Sequence, residues 1–348
     1  MIAETALPEV NKSHRYDDGV LRNLGLVGVL VLLVIIGIVT RPELYSDPTW
    51  VKNNILTILQ QASAIGVVTV GMTFVIIGGG IDLSVGAIIA LAGVWATTLA
   101  TQSYGAAGMI FTALVVGIAV GLVNGVLIAY GKLVPFIATL AMLVSARGLA
   151  AQISGKQTQV SANSTINGIA STKLLGIPLL IWILAVVVAA GWVLLNRTTF
   201  GRRTVAVGGN PEAARLAGIN VKRHTLLLYV LSGLCCGIAA IMLTSQATSA
   251  QAAMANLYEL DAIAAAIIGG TLLSGGRGTI VGALFGVLVF STITNLFAIN
   301  NLATEVQNMV KGGIIVAAVL LQQFRYRSLT NLLRRRNDPD KPSEHPSR

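Results

Sequence analysis

"GMTFVIIGGGIDLSVGAIIALAG", residues 71–93, decides what kind of fold this chain adopts. Its ends are apolar enough to sit in hydrocarbon, yet its middle holds three successive glycines, Asp82 and Ser84. Around it, apolar blocks recur at 24–40, 55–77, 84–103, 106–129, 135–153, 178–195, 224–244, 260–273, 279–299 and 307–323. Most are close to the ~20 residues that cross a hydrocarbon core ~30 Å thick. Without water, every backbone N–H and C=O needs an internal partner, so these blocks are helices and not isolated strands. Composition agrees: of 348 residues 54% are hydrophobic and 11% charged, too few charges to cover a soluble surface. The expected fold is all-α, a polytopic integral membrane protein of about ten transmembrane helices, some of them broken. A single membrane domain spans 24–323, between polar tails at 1–23 and 324–348, the latter basic and disordered in composition.

Basic residues orient the chain. With the amino terminus inside and every block crossing, 18 of the Lys and Arg residues fall on cytoplasmic segments and 4 (Arg41, Lys52, Lys156 and Lys173) on outer ones. Both termini are therefore expected in the cytoplasm. The net charge of +10 is a topology signal, aided by anionic membrane lipid, and calls for no nucleic acid. The first block follows a polar tail, and "IVTRPELYS" offers no small-residue cleavage pattern, so it reads as a retained span.

Some polar groups sit where membrane helices rarely carry them. The block 260–273 makes ~21 Å of helix, too short to cross. Its missing length lies in "LYEL" before it or "SGGRG" after it, which brings Glu259 and Asp261 or a glycine-broken backbone toward the membrane. Charges at depth cost ~3 kcal/mol or more and normally face water. The break at Gly78–Gly80 likewise leaves Asp82 and Ser84 near the next helix start. There Asp82 either caps free N–H groups or lines a polar path between two discontinuous helices. Glu259 and Asp261 are rim acids or path residues, and Arg147 and Lys311 either partner them or snorkel to the interface. The ladders Gly117/Gly121/Gly125 and Gly278/Gly282/Gly286 read as helix packing. The echo between 79–89 and 275–285 has the same polarity in this topology and marks no inverted repeat.

Catalysis has no visible home, so the chain reads as no enzyme. There is no nucleotide-binding P-loop, nucleophile elbow, Rossmann glycine pattern or metal-ligand pair. His14, His224 and His345 lie in tails or at a loop edge, and Cys235 and Cys236 are adjacent within an apolar run. No catalytic residue, cofactor or metal is expected on this chain.

The basic segment "GGNPEAARLAGINVKRH", 208–224, is the most informative. Asn210 suits an N-cap, Pro211 the first helical position, Glu212 the helix dipole and Gly218 the stop. The result is a helix of about two turns in the largest cytoplasmic loop, with Ala213, Ala214, Leu216 and Ala217 as a small apolar surface for a partner.

"EAARLAG" resembles the E-A-A-x3-G motif of ABC importer permeases, whose loop helix docks in a cleft of the ATPase. With it, "GMTFVIIGGGIDLSVGAIIALAG", "GRRTVAVGGNPEAARLAGINV" and "YELDAIAAAIIGGTLLSGGRGTIVGALFG" resemble, in order and spacing over about 50–323, the ribose-type sugar permeases of bacterial ABC importers. The resemblance implies a multi-pass subunit of the bacterial inner membrane that moves a monosaccharide inward by alternating access. It implies ATPase subunits carrying ATP and Mg, an extracytoplasmic sugar-binding protein, and a second permease, a copy or a homologue. It places ATPase coupling on Asn210, Pro211, Glu212, Ala213, Ala214, Arg215, Leu216 and Gly218. A neutral sugar needs hydrogen bonds and not ion pairs, so Asn124 and Asn295 join Asp82, Ser84, Glu259 and Asp261 as candidates for the substrate path. Gln60 and Gln61 are further amides of that kind, and all of them serve equally as helix-to-helix links. A branched-chain amino acid permease of the same superfamily is the nearest alternative. An ion-coupled secondary transporter using the buried acids is the alternative from another class.

Overall fold

A computed structural model describes residues 13–317, 319 and 320. Of the expected amino-terminal tail, 1–12 lie outside them, while 13–23 are helical and begin the first helix, so that tail is shorter than expected; 324–348 and the end of the last apolar block lie outside the described residues. The chain divides into two compact units, at Asn300; in the second, residues 304–317 are helical.

The first unit is a helical bundle. In chain order its helices are α1 (Ser13–Thr40), α2 (Pro42–Tyr45), α3 (Pro48–Ile77), α4 (Val85–Ala96), α5 (Leu99–Gln102), α6 (Gly105–Ala129) and α7 (Pro135–Ile153). They continue as α8 (Ser164–Ser171), α9 (Leu179–Arg197), α10 (Thr199–Gly209), α11 (Pro211–Leu216), α12 (Val221–Ala247), α13 (Tyr258–Ile268) and α14 (Ile280–Ile299). Seven of them, α1, α3, α6, α7, α9, α12 and α14, are long and apolar enough to cross a membrane.

Burial sorts these helices into a core and a shell. In α12 and α14, 61% of the apolar window is buried, against 11% in α1 and 22% in α7 and α9. The lightly buried helices still present apolar side chains outward, which suits a lipid-facing shell. At the centre α12 packs against α6, α3 and α4. The glycine ladder of α6 makes this possible: a Cβ at Gly117 would strike the Gly233 carbonyl of α12, and one at Gly121 the Tyr229 carbonyl. The ladder of α14 does the same against α13, with Gly286 facing the Ala265 carbonyl. Both ladders serve packing within the chain.

The helix breaks form where glycine permits a left-handed turn. α3 closes with Gly79 at φ +84°, the Gly79 N–H on the Ile76 carbonyl and the Gly80 N–H on the Val75 carbonyl at 2.9 Å each. That is a Schellman closure. α13 closes the same way through Gly270 at φ +85°, with Gly270 N–H on Ile267 and Thr271 N–H on Ala266.

Two apolar blocks differ from the sequence expectation. The block 84–103 is not one span: α4 ends at Ala96, Thr98 caps the short α5, and 12 residues give about 18 Å of helix. The block 260–273 gains Tyr258 and Glu259 at its start and stops at Ile268, leaving 269–279 non-helical. At the end of the bundle away from α11, a two-residue antiparallel ladder joins Gln159–Val160 to Ser249–Ala250 just beyond α12.

Candidate functional site

The break at 78–84 buries its acid completely. Asp82 and Ser84 are both 0% exposed. Asp82 Oδ1 accepts from the Ser84 N–H at 3.0 Å and the Ser84 hydroxyl at 2.6 Å. Its Oδ2 accepts from the Ser232 hydroxyl of α12 at 3.0 Å. Ser84 Oγ in turn accepts from Asn124 Nδ2 of α6 at 2.8 Å. One carboxylate therefore ties the broken backbone to α12 and, through Ser84, to α6. Burying such a group unpaired is costly, and every hydrogen bond here offsets that. The turn at Asp82–Ser84 is of the Asx kind; Ser84, at the N-cap position of α4, makes no side-chain cap bond of its own.

Of the residues singled out in the sequence, the fold brings together Asp82, Ser84 and Asn124. Asn295 stands elsewhere, on α14, 4% exposed, with its Oδ1 lacking a hydrogen-bond partner among the described residues. Asp261 is half-buried on α13. Ser232 was not foreseen: a lone serine in an apolar run gives no direction, and its partner lies 150 residues away.

Glu259, at the start of α13, is 7% exposed. Its Oε2 and Arg147 Nη2 have no hydrogen-bond partner among the described residues. Arg147 reaches from α7 with Nη1 to the Ala252 carbonyl at 2.7 Å. Both side chains converge on Gly86 of α4, whose missing Cβ would stand 2.6 Å from Glu259 Oε2 and 3.4 Å from Arg147 Nη2.

The loop helix forms as its residues dictate. Asn210 Oδ1 accepts from the Ala213 N–H at 2.9 Å, Pro211 opens α11, and Gly218 at φ +81° stops it. Ile219 N–H returns to the Ala214 carbonyl at 3.0 Å, a third Schellman closure. Glu212 and Arg215 pair at 2.6 Å with both side chains exposed. Hydrogen bonding from Arg215, reinforced by its charge, holds the Glu212 carboxyl below its usual range. Ala214 alone of the small apolar set turns inward, while Leu216 is 76% exposed. α11 thus presents an apolar tip and a paired charge to whatever meets it.

Just before α11, Gly208 touches both helix breaks. A Cβ there would collide with the Ile77 carbonyl, and it would stand 2.7 Å from the Gly276 nitrogen. The Gly276 N–H itself donates to that Ile77 carbonyl at 2.8 Å, satisfying the last carbonyl of α3. A Cβ on Gly275 would stand 3.0 Å from Gly79 Cα. The end of α10, the break after α3 and the break after α13 therefore meet backbone to backbone, with no side chain between them to absorb a displacement. The two echoing stretches of sequence are neighbours at this joint.

At the opposite end a cavity of about 270 Å³ opens among Gln246, Ser249, Gln251, Met254, Ala255 and Tyr258. No group of three or more His, Cys, Asp or Glu placed to hold a metal occurs among the described residues.

Comparison with known proteins gives a consistent picture. Residues 54–319 match the family described as branched-chain amino acid transport system / permease component. The ribose import permease protein RbsC of Bacillus subtilis (strain 168) is 41% identical, over 90% of this chain and 97% of its own length. That of Escherichia coli (strain K12) is 39% identical over 84% of this chain and 92% of its own. The L-arabinose ABC transporter permease protein AraH of Azospirillum brasilense is 37% identical over 86% and 87%. No solved structure matches the chain.

Proposed function

This chain belongs to the family of branched-chain amino acid transport system permease components, and on that premise we propose that it is the membrane subunit of an ATP-driven importer of a neutral monosaccharide, ribose or a sugar close to it. It is a multi-pass protein of the bacterial inner membrane. The observation that carries the substrate reading is the 35–41% identity, over most of the chain, to permeases named for ribose, L-arabinose, galactofuranose and galactose. It carries more weight than the amino acid in the family's description, because the individual relatives named are sugar permeases.

The mechanism runs through the glycine joint. A partner ATPase seats on α11, gripping its exposed Leu216 and the Glu212–Arg215 pair. When ATP and Mg, both held by that partner, close the ATPase, α11 moves as a capped unit. Gly208 passes the displacement to the carboxyl-terminal end of α3 and to the 269–279 break, because the backbones touch there. Both broken helices then shift against α12, and the path alternates between the two sides of the membrane. A sugar-binding protein delivers to the other end, where the cavity opens. A second permease, a copy of this chain or a homologue, completes the pathway.

Purification of the tagged chain in mild detergent, beside a Glu212→Lys variant, tests the coupling. Glu212→Lys sets two cations one helical turn apart at an exposed site, so α11 loses its pair while the bundle stays intact. The expected result is an ATPase that accompanies the native chain and is absent from the variant. A folded native chain that brings no ATPase with it, with that partner expressed, contradicts the reading.

A further inference from the structure

We infer that Arg147 and Glu259 form a hydroxyl-binding subsite for the transported sugar, behind the wall of the cavity at the end of the bundle away from α11; the inference rests on the sugar-importer reading and names two residues of its path. Each group carries one buried atom at its tip without a hydrogen-bond partner among the described residues. These atoms are Glu259 Oε2 and Arg147 Nη2, and Glu259 is 7% exposed. No ion pair joins them among the described residues, although both face Gly86. From the Gly86 Cβ position at 2.6 and 3.4 Å, the two atoms stand no more than about 6 Å apart. A single hydroxyl, accepting from the guanidinium and donating to the carboxylate at ~2.8 Å each, spans up to about that distance. Paired donor and acceptor of this kind suit a neutral polyol, whose hydroxyls do both at once.

The surroundings point the same way. Arg147 Nη1 holds the Ala252 carbonyl, and the Ala255 carbonyl crowds the same Gly86 position. Met254, Ala255 and Tyr258 are at once neighbours of the pair in sequence or space and part of the cavity wall. The 251–257 turn supplies residues both to the cavity wall and to the surroundings of the pair. Ala255 at φ +54° and Leu257 at φ +66° hold that turn in the left-handed region without glycine, a strained arrangement of the kind found at functional sites. At about 270 Å³ the cavity falls just below the ~300–1,000 Å³ of drug-sized sites, a size for a small ligand. Gly86 completes the subsite, since any side chain there would fill the gap between the two groups.

The test uses the whole transporter, this chain with its ATPase and binding protein, in proteoliposomes. D-ribose uptake and ATP hydrolysis are measured together at saturating ribose-loaded binding protein. Arg147→Met and Glu259→Leu are expected to lower ribose moved per ATP hydrolysed about tenfold or more, while stimulated hydrolysis persists. Glu259→Gln keeps an acceptor oxygen at the same place and is expected to retain most of the uptake. The inference is overturned if all three variants import ribose at the unsubstituted rate. It is equally overturned if uptake and hydrolysis fall in proportion, which a purely structural pair would produce, or if Glu259→Gln loses as much as Glu259→Leu. An unsubstituted transporter that hydrolyses ATP but moves no sugar instead refutes the parent reading, and this one with it.

Discussion

Two carboxylates lie buried among the described residues, and they are treated in opposite ways. Asp82 receives three hydrogen bonds, from the Ser84 backbone, the Ser84 hydroxyl and Ser232. Glu259 ends in an oxygen with no partner among the described residues, beside a guanidinium nitrogen in the same condition. A satisfied buried acid organises its surroundings, because each donor depends on it in return. An unsatisfied one costs stability wherever it is placed, so its retention fits a task carried out in another state of the protein. On this contrast Asp82 ties a broken helix to its neighbours, while Glu259 is the acid proposed above for the transport path.

The contrast is open to attack by substitution, with thermal denaturation of the detergent-solubilised chain as the reading. Asp82→Leu strands three donors in the core and is expected to have the largest effect, roughly 3 kcal/mol or more of destabilisation. Asp82→Asn keeps an oxygen for Ser84, and its amide nitrogen donates to a rotated Ser232 hydroxyl, so about 1–2 kcal/mol is expected. An equal and severe loss in both variants would show that the charge and not the hydrogen bonding of Asp82 matters. Ser232→Ala removes a single bond to a charged acceptor and is expected to cost about 1–2 kcal/mol. The smallest effect is expected of Glu259→Leu, because an apolar side chain there ends the cost of burying a carboxylate oxygen that has no hydrogen-bond partner among the described residues. A drop as large as that of Asp82→Leu would erase the distinction between the two acids.

Much of this was legible in the sequence, for local reasons. Three glycines announced the break after α3, and one of them, Gly79, takes the left-handed turn that closes the helix. Asn210, Pro211 and Gly218 announced α11 because caps act on neighbours only a few residues away. The division of 84–103 was missed: averaged hydropathy hides Thr97–Thr98, where the helix ends and Thr98 caps the next. Long-range pairing carried no sequence signal at all. Ser232 reaches Asp82 and Arg147 reaches Ala252 across 150 and 105 residues. The meeting of Gly208, Gly79 and Gly275 was equally invisible, since a glycine shows that backbones can approach but not which ones.

The most direct measurement is uptake by the reconstituted transporter, in proteoliposomes carrying this chain with its ATPase and supplied with the binding protein. The account predicts accumulation of radiolabelled D-ribose that requires ATP, survives dissipation of ion gradients and is unaffected by excess leucine. Leucine accumulation without ribose uptake, or ribose uptake that persists without ATP and collapses with the ion gradient, would contradict it.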